Sequence, residues 1–312
     1  MLDLSEWPAL AAVDGQDEAA WAAVGGTLAG EPATRFGHFP KHLQRRALKR
    51  GAALALLVGR PLAGYRKLVP LDEPGRALRD EAERLAVAEG WELREAAGHA
   101  PGTTPYYRQS TGFTCGPAAV GMALSGLLGR PAPDRTLELQ LWREATTIHA
   151  PSGPGGCDPF GLALAAERRG LKAQVVKSRQ GPQILDRGHD EERRELMRFV
   201  QESFRAEAEA AGIAALYRPI DAAFLRAHLE TGGQAILLVD QIHMHAEGCP
   251  HWILLTAFRD GRFRAHDPWL DDTQGESEAD VVDLPLSPAA VETIGRYGDP
   301  PYQSAVLLSR PS

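Results

Sequence analysis

The order of the predicted elements places this chain in the α+β class. Helical periodicity dominates the region that follows Cys115, whereas short apolar strands cluster between residues 235 and 308. Asp260-Gly261 lies between two of those strands and predicts an antiparallel hairpin. A linker rich in glycine and proline, 98–105, separates this region from a smaller α/β unit. We therefore predict two domains, residues 1–100 and 105–312.

The smaller domain is predicted from apolar runs bounded by turn residues and from one stretch of helical spacing. Its predicted elements are, in chain order, a basic helix at 41–50, strands at 53–58 and 64–69, a helix at 76–89 and a short strand at 91–93. No chemical motif occurs in this part of the sequence, so its role stays open.

The larger domain opens on a helix that begins at Cys115-Gly116-Pro117, where the proline suits the first turn. Its buried stripe is formed by Val120, Leu124, Leu127 and Leu128, and Gly129 suits its end. Further helices are predicted at 136–147, 158–169, 190–211 and 220–229, and strands at 171–176, 235–239, 252–258, 262–266 and 304–308.

Composition and charge exclude several classes of partner. The net charge is −7 and no basic stripe with interleaved aromatic residues occurs, which argues against nucleic acid. The longest apolar run, 52–58, is far shorter than the ~20 residues of a membrane span. The N-terminal segment has no basic region typical of a secretory signal, and the three cysteines form no disulfide framework. We therefore expect a cytoplasmic protein without a nucleic-acid or membrane partner.

Cys115 is the best candidate for a nucleophile. The unpaired N–H groups and the dipole at a helix start favour a thiolate there. Gly116 would let a substrate approach the backbone closely. Gln109 lies six residues before the cysteine, so its side-chain amide and the Cys115 N–H are candidate donors to an oxyanion.

His251 and Asp267 are the candidates for a base and for the group that orients it. His251 opens an apolar strand, and Asp267 follows the next strand, so an antiparallel hairpin would bring the two side chains together. Trp252, next to the histidine, is predicted to contact the substrate. No cofactor is needed for this chemistry.

Two further groups of residues allow alternative interpretations. Gly155, Gly156 and Cys157 lie in a loop that either borders a substrate cleft or is a turn with an inert thiol. Potential zinc ligands recur at every second position before the histidine strand, although Gly248 and Pro250 favour a loop, and we predict no metal. Those potential ligands are His243, His245, Glu247, Cys249 and His251.

The segment 109–117, QSTGFTCGP, resembles the nucleophile region of papain-like cysteine peptidases, and more narrowly that of the bacteriocin-processing, double-glycine leader peptidases. Residues 251–255, HWILL, and 266–268, HDP, resemble the histidine strand and the aspartate-proline of that family. The resemblance covers 105–310 and implies a papain-like domain with helices packed on a C-terminal antiparallel sheet. It implies Cys115, His251 and Asp267 as catalytic residues and Gln109 as the oxyanion donor.

A stand-alone, peptidase-like subgroup is closer still. Segments 141–147, 152–157, 296–298 and 303–306 resemble its middle and end. Its members are often fused to an acetyltransferase or encoded near peptide ligases, which implies a partner from a peptide-modification pathway.

The expected function is therefore a cysteine peptidase or amidohydrolase that cleaves a peptide or isopeptide bond of a peptide or protein substrate. One alternative is an acyltransferase of transglutaminase type, which would pass the acyl group to an amine. Another is a peptide-binding module without activity, although such modules lack the nucleophile that Cys115 supplies here.

Overall fold

A computed structural model of the chain describes residues 44–50, 53–59, 65–70, 92–94, 104–147, 149–150, 153–244, 248–270, 278 and 281–311. The chain forms two compact units that meet in sequence near residue 100. The smaller unit contains a four-stranded sheet, in chain order β1 (Gln44–Arg50), β2 (Ala53–Gly59), β3 (Tyr65–Pro70) and β4 (Glu92–Arg94).

The first strand of the smaller unit corrects the sequence prediction. Residues 44–50 were expected to be helical, but they form β1 and pair antiparallel with β2 along its whole length. Arg50 pairs with Ala53, so only two residues connect the strands, and the hairpin that this short connection allows overrides the high helical propensity of the segment. The predicted strands 53–58, 64–69 and 91–93 are confirmed, and the helix predicted at 76–89 lies outside the described residues.

In the described part of the larger unit there are six helices, which are α1 (Cys115–Leu128), α2 (Arg135–Ala145), α3 (Pro159–Glu167), α4 (Glu191–Ala210), α5 (Ala222–Glu230) and α6 (Pro288–Ile294). Five of them begin with a side chain that accepts a hydrogen bond from the backbone of the first turn, and those caps are Asp134, Asp158, Asp190, Asp221 and Ser287. Helix α1 has no side-chain cap. Among the described residues, no helix has the length and apolarity that crossing a membrane requires.

The strands of the larger unit are β5 (His149–Ala150), β6 (Gly153–Pro154), β7 (Lys172–Lys177), β8 (Ala214–Tyr217), β9 (Gln234–Asp240), β10 (Pro250–Arg259), β11 (Arg262–His266), β12 (Leu284–Leu286) and β13 (Ser304–Ser309). Strands β7 to β13 form one sheet in the order β12-β11-β10-β9-β13-β7-β8, which is antiparallel except for the β7–β8 pair. The predicted α+β class, with helices packed on a late antiparallel sheet, is confirmed. Strands β5, β6, β8 and β12 were missed, because segments of two to four residues carry too little periodicity to be recognised, and helix α6 was not predicted either.

The hairpin between β10 and β11 turns where the sequence predicts. Asp260 and Gly261 both have positive φ, 53° and 70°, and Arg259 pairs with Arg262. A two-residue turn with both central residues at positive φ matches the twist of the strands that it joins. The turn joins β10, which carries His251, to β11, which Asp267 follows, and the register of the pair shifts by one residue between Leu255 and Ala257.

Small residues let the helices of the larger unit approach each other closely. Helix α1 is buried around most of its circumference rather than along one stripe, although the predicted stripe residues Val120, Leu124 and Leu127 are buried. On α3, a Cβ added to Gly161 would lie 2.8 Å from the Cα of Ala145, at the end of α2. A methyl group has no room there, because the nearest atoms belong to the backbone of the neighbouring helix.

We expect Gly161→Ala to lower the free energy of unfolding by about 1–3 kcal/mol, since overpacking forces the backbone to shift. Urea unfolding of the full chain followed by circular dichroism measures the change. Gly156→Ala is the matched control, because a Cβ there meets no atom within 4 Å. Equal effects of the two substitutions would contradict the packing argument.

Candidate active site

Cys115 begins α1, a helix whose first turn has no side-chain cap. The preceding residue, Thr114, does not cap the helix, because its hydroxyl donates to the carboxylate of Glu138. The N–H groups of the first turn therefore have no side-chain acceptor, while the Cys115 side chain is largely buried. Such a helix end stabilises negative charge, on a thiolate or on an oxyanion beside it.

His251 and Asp267 form a buried pair beside this cysteine. The Nε2–H of His251, on β10, donates to Oδ1 of Asp267 over 2.7 Å. Burial would lower the pKa of His251, but the Asp267 carboxylate, by its charge and its hydrogen bond, and a hydrogen bond with Cys115 raise the pKa to about 10. Because Nε2 is engaged by Asp267, Nδ1 is the nitrogen left to exchange a proton with the thiol.

Asp267 is itself held by the turn that it begins. Its Oδ1 also accepts from the N–H of Trp269 over 2.9 Å, and the carbonyl of Pro268 accepts from the N–H of Gln109 over 3.0 Å. The turn after β11 and the segment before α1 are thus joined directly. This connection brings Gln109, Cys115 and the His251–Asp267 pair together, as the sequence predicts.

The side chain of Gln109 borders the cleft and is partly engaged. Its Nε2 donates to the carbonyl of Thr111 over 2.7 Å, which leaves the second hydrogen of the amide for another acceptor. Its Oε1 is buried and accepts no hydrogen bond from a described residue. Gln109 and Cys115 line the same cleft, as an oxyanion donor and a nucleophile would have to.

Glu138 organises the segment before α1, and sequence reasoning missed it. This fully buried carboxylate, on α2, accepts from the Tyr107 hydroxyl over 2.8 Å, from the Ser110 N–H over 2.7 Å and from the Thr114 hydroxyl. Burial and this hydrogen bond raise the pKa of Tyr107 well above its ordinary value. No local signal identifies such a residue, because its three partners lie 24 to 31 positions earlier in the chain.

A cleft of about 610 Å³ opens over the cysteine and the histidine. It is lined by four of the five residues predicted to bind the substrate, which are Gly155, Gly156, Cys157 and Trp252. The fifth, Gly116, is buried and does not line the cleft. A Cβ at Gly116 would lie 3.0 Å from Leu162 and 3.3 Å from Trp252, so this glycine makes room for side-chain packing beneath the site.

The other two cysteines also line the cleft, with different surroundings. Cys157 is buried, and burial, reinforced by the nearby Cys115 and Asp158, raises the pKa of its thiol well above the ordinary value. The Cys249 thiol donates to Oε1 of Gln241 over 2.5 Å. Burial therefore makes Cys157 a poor nucleophile, which leaves Cys115 as the thiol with a base beside it.

The alternating histidines before β10 do not share one strand face in the described part of the chain. His243 ends a 3₁₀ turn, Gln241–His243, while His245 and Glu247 lie outside the described residues. Among the described residues, no three potential ligands come together in a group that could hold a metal ion. His251, the last of the series, is engaged with Asp267 instead.

Residues 104–309 match the family model described as Peptidase_C39 like. The chain belongs to the Peptidase_C39 like family. No curated protein matches it. A solved structure, a candidate C39-like peptidase from Bacillus anthracis, is 11% identical and covers 68% of this chain and 97% of its own, with a TM-score of 0.37. As a member of this family, the chain has the papain-like arrangement that the sequence predicts, with the cysteine helix packed against the sheet strand that carries the histidine.

Proposed function

We propose that this C39-like protein is a cysteine peptidase or amidohydrolase that cleaves a peptide or isopeptide bond. The observation that carries the proposal is the hydrogen-bonded series from Cys115 through His251 to Asp267, at the floor of an open cleft. A buried imidazole with a raised pKa and a carboxylate behind it is suited to holding a proton beside a thiolate.

In the first half of the reaction, the Sγ of Cys115 attacks the substrate carbonyl carbon, and His251 holds the proton that the thiol has lost. The carbonyl oxygen becomes an oxyanion, which the Cys115 N–H and the Gln109 amide would stabilise. The C–N bond then breaks, His251 gives its proton to the departing amine, and the acyl group remains on Cys115 as a thioester.

In the second half, His251 removes a proton from a water molecule that attacks the thioester carbonyl. The C–S bond breaks, a carboxylic acid leaves, and the thiol and imidazole return to their starting state. Asp267 keeps the ring oriented through both halves and stabilises its positive charge. The resemblance to double-glycine leader peptidases supports a role in peptide maturation or modification, with a peptide substrate supplied by that pathway.

The pH dependence of alkylation tests this proposal without a known substrate. Iodoacetamide reacts with the thiolate, so mass spectrometry of each cysteine reports how far each thiol is ionised. We expect Cys115 to react at least about tenfold faster than Cys157 and Cys249 well below pH 8.5, the ordinary pKa of a free thiol. Cys157 is the internal control, since it lines the same cleft but burial and its acidic surroundings raise the pKa of its thiol. Equal rates at all three cysteines would refute the proposal.

A further inference from the structure

One wall of the cleft contains a buried polar side chain whose polar atoms bond to no described residue. Gln183, in the segment between β7 and α4, is 3% exposed and lines the cleft. Neither its Nε2 nor its Oε1 has a hydrogen-bond partner among the described residues. An amide buried in this way has lost water without gaining a partner, which costs free energy unless a ligand supplies one.

The main chain at Gln183 is held in place from α4. Gln201 accepts from the Gln183 N–H over 2.8 Å and donates to the Gln183 carbonyl over 2.9 Å. The next residue, Ile184, has φ of 61°, a conformation that β-branched residues rarely adopt. The side-chain amide of Gln183 is therefore presented by a backbone fixed in one conformation, as pre-organised binding residues are.

The remainder of this segment and the first turn of α4 carry the basic side chains of the cleft. Arg187 and His189 are exposed, Arg193 is half-buried, and all three line the cleft. Among the described lining residues, Asp158 is the one carboxylate, and it is buried as the cap of α3. A chain with a net charge of −7 thus lines its cleft with basic side chains, which indicates a negatively charged ligand.

Two of the acidic side chains at the start of α4 are already engaged. Asp190 caps the helix by accepting from the Arg193 N–H, and Glu191 pairs with Arg194 and Arg198. Arg187 makes no ion pair with a described side chain, so its guanidinium remains available to a ligand carboxylate.

We propose that Gln183 and Arg187 form a recognition subsite for an acidic peptide segment. The Gln183 amide would donate to and accept from one backbone amide of the peptide, and Arg187 would bind a glutamate or aspartate side chain next to it. This proposal rests on the proposed peptidase function and adds the substrate class. Gln183 acts here as a positioning residue, because it would hold the chain that presents the scissile bond to Cys115.

The test uses peptidyl acyloxymethyl ketones, in which Cys115 Sγ bonds to the methylene carbon as the carboxylate leaves. Glu, Gln or Lys is placed in turn at each of the three positions nearest the reactive group. At one position we expect the Glu probe to inactivate the full-length protein roughly tenfold faster than the Lys probe, the effect of one charge-assisted hydrogen bond. The Gln probe should fall between them.

Two substitutions separate the parts of the subsite. Arg187→Gln should remove the preference for Glu, whereas Arg143→Gln, an exposed arginine outside the cleft, should leave it unchanged. Gln183→Met should slow every peptidyl probe roughly tenfold, the effect of losing about two hydrogen bonds, without changing the iodoacetamide rate of Cys115. If Gln183→Met does not fold, the wild-type preference and Arg187→Gln carry the test.

The measurements distinguish failure of the acidic subsite from failure of the proposed peptidase function. Slow iodoacetamide labelling of wild-type Cys115 would refute the peptidase proposal itself. Rapid labelling together with equal Glu and Lys rates at every position would overturn the acidic subsite alone. A Gln183→Met variant that loses iodoacetamide and peptidyl reactivity equally would show that Gln183 supports the fold and does not bind the peptide.

Discussion

Replacement of His251 by alanine should slow the alkylation of Cys115 at about pH 6 by roughly 300-fold, the ratio at that pH between a thiolate and a free thiol of pKa about 8.5. His251 is hydrogen-bonded with Cys115, and Asp267 helps to raise its pKa to about 10. A protonated imidazole beside the thiol favours the thiolate electrostatically. The measurement is the rate of iodoacetamide labelling of Cys115 by mass spectrometry across the pH range.

The sign of the pH dependence follows from the raised pKa. A histidine with a pKa of about 10 carries its positive charge throughout the neutral range and loses it only as the pH rises through about 10. The favourable charge on His251 is therefore present at low and neutral pH and absent at high pH. We expect the wild-type and variant rates to converge above about pH 10, where both thiols are ionised without an imidazolium.

Two controls separate a lost proton acceptor from a damaged fold. His251→Gln keeps a donor toward Asp267 but has no titrating group, so it should lose reactivity as His251→Ala does. His266→Gln changes a buried histidine that donates to the Thr104 carbonyl and accepts from the Asp283 N–H. It should leave Cys115 labelling unchanged in the folded fraction. If His266→Gln slowed Cys115 as much as His251→Ala, the pairing argument would be wrong.

The proximity of His251 and Asp267 was predictable because it depends on local chain geometry. The two residues are sixteen positions apart, and the Asp260-Gly261 turn folds the intervening chain into two adjacent strands. An antiparallel hairpin with a two-residue turn brings its two ends together, which the sequence pattern predicts. The register shift between Leu255 and Ala257, which decides which residues share a face, was not predictable from that pattern. The starts of four helices were predictable for a similar reason, because an aspartate cap directly precedes each of them.

The parts that could not be predicted depend on contacts between distant segments. Gln183 lines the cleft because α4 packs so that Gln201 holds it, yet α4 presents to sequence analysis only a charged, amphipathic helix. Gly116 was interpreted as a point of substrate approach, but Leu162 and Trp252 occupy the space beside it. The sequence indicates which residue types the chemistry needs. Which residues line the cleft wall that contains Gln183 depends on tertiary packing.

Glu138→Gln should lower the free energy of unfolding by about 3 kcal/mol, since an amide cannot accept from all the donors that a carboxylate satisfies. The carboxylate of Glu138 accepts from Tyr107, Ser110 and Thr114, and all three lie in the segment that leads to Cys115. Urea unfolding of the full chain measures the loss. Labelling of Cys115 should also slow in the folded variant, because the segment that carries Gln109 loses its anchor.

Glu144→Gln is the matched control on the same helix. Glu144 pairs with Arg169 through two hydrogen bonds but is partly exposed, so its replacement should cost about 1 kcal/mol or less. It should not change Cys115 labelling, because its partners lie away from the segment before α1. A larger loss in Glu144→Gln than in Glu138→Gln would mean that the ion pair, not the buried carboxylate, stabilises this face of the domain. A larger loss in Glu138→Gln, together with slower labelling of Cys115 in that variant alone, would show that the reactivity of Cys115 depends on the buried carboxylate of Glu138.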